Sequence, residues 1–282
     1  MGQVQVRTHL LHAADGTPLS VTDYLLDRAQ ARASIVLMHG IGEHSGRYRH
    51  VARFFNDCGL SVRCYDHRGH GKSGGTRGDV VRGDPMVQDG QIVVEDFGAQ
   101  FDAPPLLFGH SMGGLFAASL ALSNRVALSG LILSSPALAI RLSRVERSLL
   151  AVMQRVAPAF GVPNGLSPQY LSHDAAVVTA YQADRLVHNK VSARLLRSML
   201  DMIAFCQAHA GDLALPTLMV VAGDDHLVDA AGSRQFFANA PAGMATLHVY
   251  DQFYHEVFNE PQAKRAFDDV HAWLNAQQLI PA

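Results

Sequence analysis

Pro105-Leu106-Leu107-Phe108-Gly109-His110-Ser111-Met112-Gly113-Gly114 decides how this chain is read. A short apolar run ends in Gly-x-Ser-x-Gly, and a helix-compatible run, Leu115 to Leu122, follows at once. The pattern predicts a strand, a very tight turn and a helix, with a serine at the apex. A serine held in such a turn is strained, so its neighbours two positions to either side must be small; a Cβ at Gly109 or Gly113 would meet the strand or the helix. Gly-x-Ser-x-Gly also arises by chance in glycine-rich turns. If Ser111 is a nucleophile, the rest of the chain must supply a base, an acid and an oxyanion hole.

Upstream, Val4 to Leu11 and Leu19 to Leu25 flank Asp15-Gly16-Thr17-Pro18 and predict an antiparallel hairpin at a sheet edge. Ser34 to Met38 and Leu60 to Tyr65 are apolar on both faces, as buried parallel strands are. Helices are expected from about Arg47 to Cys58 and from Met86 to Phe101, and a further strand from Gly130 to Ser134. Strands alternating with helices at this spacing imply a mostly parallel α/β sheet with helices on both faces, and loops at one rim where such sheets bind ligands. His39-Gly40, Asp66 and Ser111 all fall at that rim.

After Ser135-Pro136 the alternation stops. From Leu138 to His209 the patterns are helical and no strand is evident; Leu142, Val145, Leu149, Val152 and Val156 recur at helical spacing and predict a packing face. The strand pattern resumes at Thr217 to Ala222, with a helix from Ala230 to Asn239, a last strand from Thr246 to Tyr250 and a helix from Pro261 to Gln277. The expected organisation is a core over 1–135 and 210–282, interrupted by a helical cap over 136–209.

An acid is sought after the Thr217–Ala222 strand, where Asp224, Asp225 and Asp229 compete; Asp229 starts the next helix and suits its N-cap. A base is sought after the last strand, where His255 lies in a rim loop and His248 lies inside the strand. The chain order Ser, Asp, His fits a hydrolytic triad in which the histidine takes the Oγ proton and the aspartate holds its tautomer. Two oxyanion donors are expected: the backbone N–H of Met112 at the start of the turn helix, and one from His39-Gly40-Ile41, through Ile41. Gly40, Glu43, His110, Leu149 and Met153 are candidate substrate contacts; for Glu43 this is the alternative to a hydrogen-bonded structural network with His44, Arg47 and Tyr48 near the oxyanion loop. Asp66 and Arg68 are expected to build a structural turn and salt bridge.

Composition narrows the classes. The chain has 282 residues, 48% of them hydrophobic, and a formal net charge of −2, which gives no electrostatic case for nucleic acid. No window is apolar enough to span a bilayer, and the first residues lack a signal-peptide core. Gly2 begins a myristoylation-like pattern that fails at Val6. Three cysteines without metal spacing read as reduced thiols of a cytoplasmic protein. Fifteen histidines include no His-Glu-x-x-His zinc pattern, since His255-Glu256-Val257-Phe258-Asn259 fails at its last position. Gly40-Ile41-Gly42 mimics a dinucleotide loop, but the third glycine falls one residue late, at Gly46. Gly71-Lys72-Ser73 lacks the earlier glycine of a phosphate loop, because Asp66 stands there.

His39-Gly40-Ile41-Gly42-Glu43-His44-Ser45-Gly46-Arg47-Tyr48, Asp66-His67-Arg68-Gly69-His70-Gly71-Lys72-Ser73 and Gly109-His110-Ser111-Met112-Gly113-Gly114 together resemble the monoacylglycerol lipase and lysophospholipase family of the α/β-hydrolase superfamily. The resemblance extends to Asp184-Arg185-Leu186-Val187-His188, with Arg185 where the family has proline, to Asp225-His226-Leu227-Val228-Asp229, and to His255-Glu256-Val257-Phe258-Asn259-Glu260. It implies the α/β-hydrolase fold and hydrolysis of single-chain lipid esters, with the acyl chain under the cap and no metal or organic cofactor. It selects Asp225 over Asp224 as the acid beside Ser111 and His255, and Ile41 as the second oxyanion donor. No obligate protein partner is evident in the sequence; a transient membrane-surface contact through the cap accords with its apolar stripe. A broad carboxylesterase for small soluble esters and a non-catalytic binding protein of the same shape are the alternatives.

Overall fold

The computed structural model describes residues 4–27, 33–81 and 83–280; Gly2 lies outside them. β1 (Gln5–His12) and β2 (Pro18–Leu25) form the expected antiparallel hairpin, closed by Gly16 at φ 82°. β3 (Ala33–Met38), α1 (Arg49–Asp57), β4 (Leu60–Tyr65), α2 (Pro85–Gly98), β5 (Leu106–His110), α3 (Met112–Leu122) and β6 (Gly130–Ser134) follow. Next come α4 (Arg144–Val156), β7 (Gly161–Pro163), α5 (Ala175–Ala183), β8 (Lys190–Ser192) and α6 (Ala193–His209). The chain closes with β9 (Thr217–Ala222), α7 (Ala230–Asn239), β10 (Ala245–Tyr250) and α8 (Lys264–Ala276).

Eight strands make one sheet in the order β1-β2-β4-β3-β5-β6-β9-β10, antiparallel from β1 to β4 and parallel from β4 to β10. The two-faced apolarity of the middle strands has a direct cause. Val36 and Met38 of β3 point into one core layer, and Ile35 and Leu37 into the other. Successive side chains leave a strand on opposite faces, so a strand covered on both sides must be apolar throughout. α3 is buried along its whole length and has no polar face, since it lies between the sheet and α2 and α6.

Two expectations for 138–209 need correction. β7 and β8 pair antiparallel, Gly161 opposite Ser192, where no strand is predicted. Three-residue strands show no readable alternation, and their partners lie 31 residues apart in the register Gly161↔Ser192. The α4 stripe also does not form one packing face. Val145, Leu149, Val152 and Val156 are 55–78% exposed, and only Leu142, Leu150 and Met153 turn partly inward. α4 is held by its capping box, Ser143 with Glu146, and touches the rest of the molecule along α6. Val145, Val152 and Val156 on its outer side stand exposed. α6, by contrast, packs along α3 and sends Leu195, Met199 and Cys206 into the core.

The Asp66–Arg68 segment is a structural turn with a salt bridge, as expected, but the two residues do not pair with each other. Asp66 accepts from the amide and hydroxyl of Ser45 (2.8 and 2.6 Å) and from the Lys72 amide (2.7 Å). Arg68 does not pair with it; its fork grips Asp89 (2.6 and 2.7 Å) and reaches Asp15 (2.8 Å).

Candidate active site

The turn after β5 sets the site. Ser111 sits at φ 54°, ψ −120°, a backbone that a side-chain-bearing residue adopts only under constraint. The constraint is visible in its neighbours. Its amide donates to Ser134 O (2.9 Å), and its carbonyl accepts from Leu115 (3.0 Å) and Ala137 (2.9 Å). A Cβ on Gly113 would stand 2.3 Å from Met38 O, and one on Gly109 2.5 Å from Gly113 O. Both glycines are therefore required by backbone packed against backbone.

The loop after β3 lies directly on this turn. A Cβ on Gly40 would come within 3.3 Å of Ser111 Cβ. The Gly40 amide is held by Glu43 Oε1 at 2.7 Å. The amides of Ile41 and Met112, by contrast, have no hydrogen-bond acceptor among the described residues. Two unpartnered donors thus lie by Ser111: Met112 follows it in the chain, and Ile41 belongs to the loop packed on its turn. Ile41 and Ser111 both line a cavity of about 290 Å³, with Ala137, Leu142, Leu196 and Asp225.

His255 and Asp225 complete the group. His255 Nδ1 lies 2.7 Å from Asp225 Oδ2. Asp225 Oδ1 accepts the amides of Leu227 (2.8 Å) and Val228 (2.9 Å). The Asp225 side chain is 1% exposed, whereas that of Asp224 is 53% exposed and pairs with His226. Asp229 caps α7 through the Ala231 amide (3.1 Å), and His248 stays in β10 near Asp269. Burial disfavours the charged form of His255, but Asp225, through its charge and its hydrogen bond, outweighs it and raises the imidazole above its ordinary value. Burial likewise opposes the Asp225 carboxylate, and His255 together with the two amides keeps it below the ordinary range. With Nδ1–H turned to Asp225, Nε2 is the free acceptor. Ser111 Oγ and His255 Nε2 make no hydrogen bond among the described residues.

The structure sorts the remaining candidates. Glu43 does not reach the cavity: it is buried and engaged by Gly40, the Tyr48 hydroxyl (2.6 Å) and Arg47. His110 is also buried. Its ring stands 4.7 Å from that of His255 and meets Ser134 Oγ at 3.0 Å. Burial first, then the neighbouring His255, push His110 down to about 3, so it stays neutral. Leu149 and Met153 line a second chamber of about 350 Å³ with Leu150, Phe160 and Val162. The two chambers share Leu142, Glu146, Asn164, Gly165, Val191 and Leu196 as wall.

The segment over the site grips both loops beneath it. The His188 amide donates to Gly42 O (2.8 Å), and His44 meets Asp184 (2.8 Å). The His255 and Glu256 amides donate to Tyr170 O (3.3 Å) and Leu171 O (2.8 Å). Arg185 is exposed, so the departure from proline falls on the surface. Sequence reading missed His188, Tyr170 and Glu256 as parts of this frame. His188 and Glu256 stood within motifs that carry the resemblance, but a motif does not say which groups meet across the chain.

A family described as serine aminopeptidase, S33, matches residues 29–262. The chain belongs to this family. The chain is 36% identical over 247 residues to a monoacylglycerol lipase of Mycolicibacterium smegmatis, covering 86% of this chain and 88% of that protein. It is 32% identical to the phospholipase YtpA of Bacillus subtilis, covering 86% and 95%. An uncharacterized abhydrolase domain-containing protein of Dictyostelium discoideum is 35% identical, and the match spans only 26% of that longer protein. The crystal structure of a Paleococcus ferrophilus monoacylglycerol lipase superposes with a TM-score of 0.81 at 29% identity, over 97% of this chain and 99% of that one. This family member therefore has the α/β-hydrolase fold expected from its sequence.

Proposed function

We propose that the protein is a serine esterase that hydrolyses single-chain lipid esters, a monoacylglycerol or a lysophospholipid, through an acyl intermediate on Ser111. The observation that carries this reading is the pair of adjoining chambers. Ser111 opens into the first, and the second is walled by Leu149, Leu150, Met153 and Phe160. An acyl chain would lie in the apolar chamber with its ester carbon over Ser111. The monoacylglycerol lipase and phospholipase relatives support the same substrate class.

In this mechanism His255 takes the Oγ proton as Ser111 attacks the carbonyl, then returns it to the leaving alcohol. Water repeats the sequence on the acyl-enzyme. Asp225 holds the tautomer and stabilises the imidazolium. The Ile41 and Met112 amides bind the oxyanion, each contributing on the order of 10²–10³ in turnover. Nucleophile, base and donors all come from this chain, so the chemistry calls for no metal or organic cofactor. Residues 136–209 act as the cap that admits the ester.

Among the described residues no helix is long and apolar enough to cross a membrane. The exposed valines and Leu149 of α4, beside Arg144, Arg147 and Arg155, suit transient contact of a cytoplasmic protein with a lipid surface. The polar wall formed by Arg141, Glu146 and Asp229 favours a second reading, a broad esterase for small soluble esters. A chain-length series of monoacylglycerols, lysophospholipids and nitrophenyl esters, with Ser111→Ala as blank, separates the two. Lipid hydrolysis should rise with chain length and fall more than short-ester hydrolysis in Leu149→Ser and Met153→Ser. Equal losses on long and short chains would remove the acyl-chamber reading, and full activity in Ser111→Ala would remove the mechanism.

A further inference from the structure

Arg47 stands between the two loops of the site. Its Nη1 donates to Glu43 and to Glu256 Oε1 (2.6 Å), and its Nη2 to Glu256 Oε2 (2.8 Å). The three side chains are 12%, 4% and 5% exposed. Each carboxylate is tied to a part of the site. Glu43 fixes the Gly40 amide, next to the Ile41 donor. Glu256 follows His255 in the chain and is braced by Asn259 Nδ2 at 2.7 Å. The Arg47 guanidinium also lies 4.8 Å from the Tyr181 ring of α5 in the covering segment.

Charge is not balanced here. Two carboxylates share one guanidinium, and the Tyr48 phenol bonded to Glu43 is held protonated, mainly by burial and then by Glu43. The enclosure therefore carries one surplus negative charge. The ionisable groups facing His255 are Asp225, Glu256, Glu43, Arg47 and neutral His110; both Glu256 and Glu43 favour its charged form. A buried charge acts over this range because little water screens it.

We infer that Glu43, Arg47 and Glu256 form a positioning unit that locks the oxyanion loop to the His255 loop and whose surplus carboxylate helps Asp225 to stabilise the imidazolium. Arg47 is the yoke and Glu256 the charge. Neither touches substrate. The inference rests on the reading of Ser111, Asp225 and His255 as the reacting groups.

Three variants separate the functions. Glu256→Gln keeps the shape and leaves Arg47 balanced against Glu43 alone. The acid limb of kcat/KM should then move down by roughly half a unit to one pH unit. Arg47→Gln, which leaves two uncompensated carboxylates, should move the limb up. Arg47→Lys keeps the charge but loses the fork, so kcat should fall about tenfold or more with KM and the limb nearly unchanged. Circular dichroism selects folded variants, and either charge variant alone tests the charge. An acid limb unmoved in a folded charge variant overturns the charge role, and wild-type kcat in Arg47→Lys overturns the yoke. Fluorophosphonate labelling of wild type but not Ser111→Ala tests the underlying reading separately. Absent labelling of the wild type overturns both, whereas normal labelling with an unmoved limb overturns the charge role alone.

Discussion

Asp225→Asn is the sharpest test of the site, because the structure dictates how the new amide must sit. Asp225 Oδ1 accepts two backbone amides, from Leu227 and Val228, while Oδ2 faces His255 Nδ1 at 2.7 Å. The only arrangement of an asparagine that keeps both amides satisfied puts its carbonyl where Oδ1 was. Its NH₂ then points at Nδ1, which must accept rather than donate. The imidazole proton moves to Nε2, the nitrogen that should take the Ser111 proton. The loss is thus one of tautomer rather than of shape, for which about 10⁴-fold in kcat, about 5.4 kcal/mol of barrier, is expected. Asp224→Asn is the control: it alters an exposed carboxylate paired only with His226, and should stay within about twofold of wild type. The assay is steady-state hydrolysis of a short nitrophenyl ester, with thermal melts to show that both variants fold. A folded Asp225→Asn within tenfold of wild type, or a loss in Asp224→Asn as large, would refute the assignment.

Four further outcomes follow from the structure. His255 is raised above its ordinary 6.5 and must be neutral to act, so kcat/KM should climb with pH through a value above 6.5; a limb below 6.5 would contradict the Asp225 pairing. In stability, the His255 contribution is complete below 6.5 and is lost as pH rises through its raised value. That of Asp225 is present above 3.8 and is lost as pH falls through its lowered value, so urea midpoints should show the pair's full effect between the two. Ser111→Gly should abolish turnover yet raise unfolding free energy by about 1 kcal/mol by releasing the φ 54° strain, a gain Ser111→Ala should lack in urea titrations. Arg63→Ala should cost about 3–5 kcal/mol in the same titrations, because it strands the buried Asp23, whereas Asp96→Ala, at a half-exposed partner, should cost at most about 1 kcal/mol.

Much of the architecture was legible in short-range patterns. The two-faced apolar runs at 34–38, 60–65 and 130–134 identified the buried strands, because only a sheet covered on both sides needs such runs. Gly109 and Gly113 announced the tight turn, because their backbone contacts leave no room for a Cβ. The α4 stripe misled for the converse reason. Periodicity says that one face of a helix is apolar, but not whether anything covers it, and here Val145 and Val156 face outward.

The sequence by itself determined the strand–turn–helix around Ser111, the α/β alternation and the order of serine, aspartate and histidine along the chain. These depend on residues within a turn or two of one another. What only the tertiary structure decided is which groups meet. The resemblance singled out Asp225 over Asp224, but the physical reason lies in the path of the chain after β9, which turns one inward to His255 and the other out to solvent. For Glu43 the sequence left both a network with Arg47 and Tyr48 and a substrate contact open, and the fold assigned it to the network by closing Arg47 between it and Glu256, more than 200 residues along the chain. Contacts across such separations leave no local pattern, because the energy that selects them is gained only when the whole core packs.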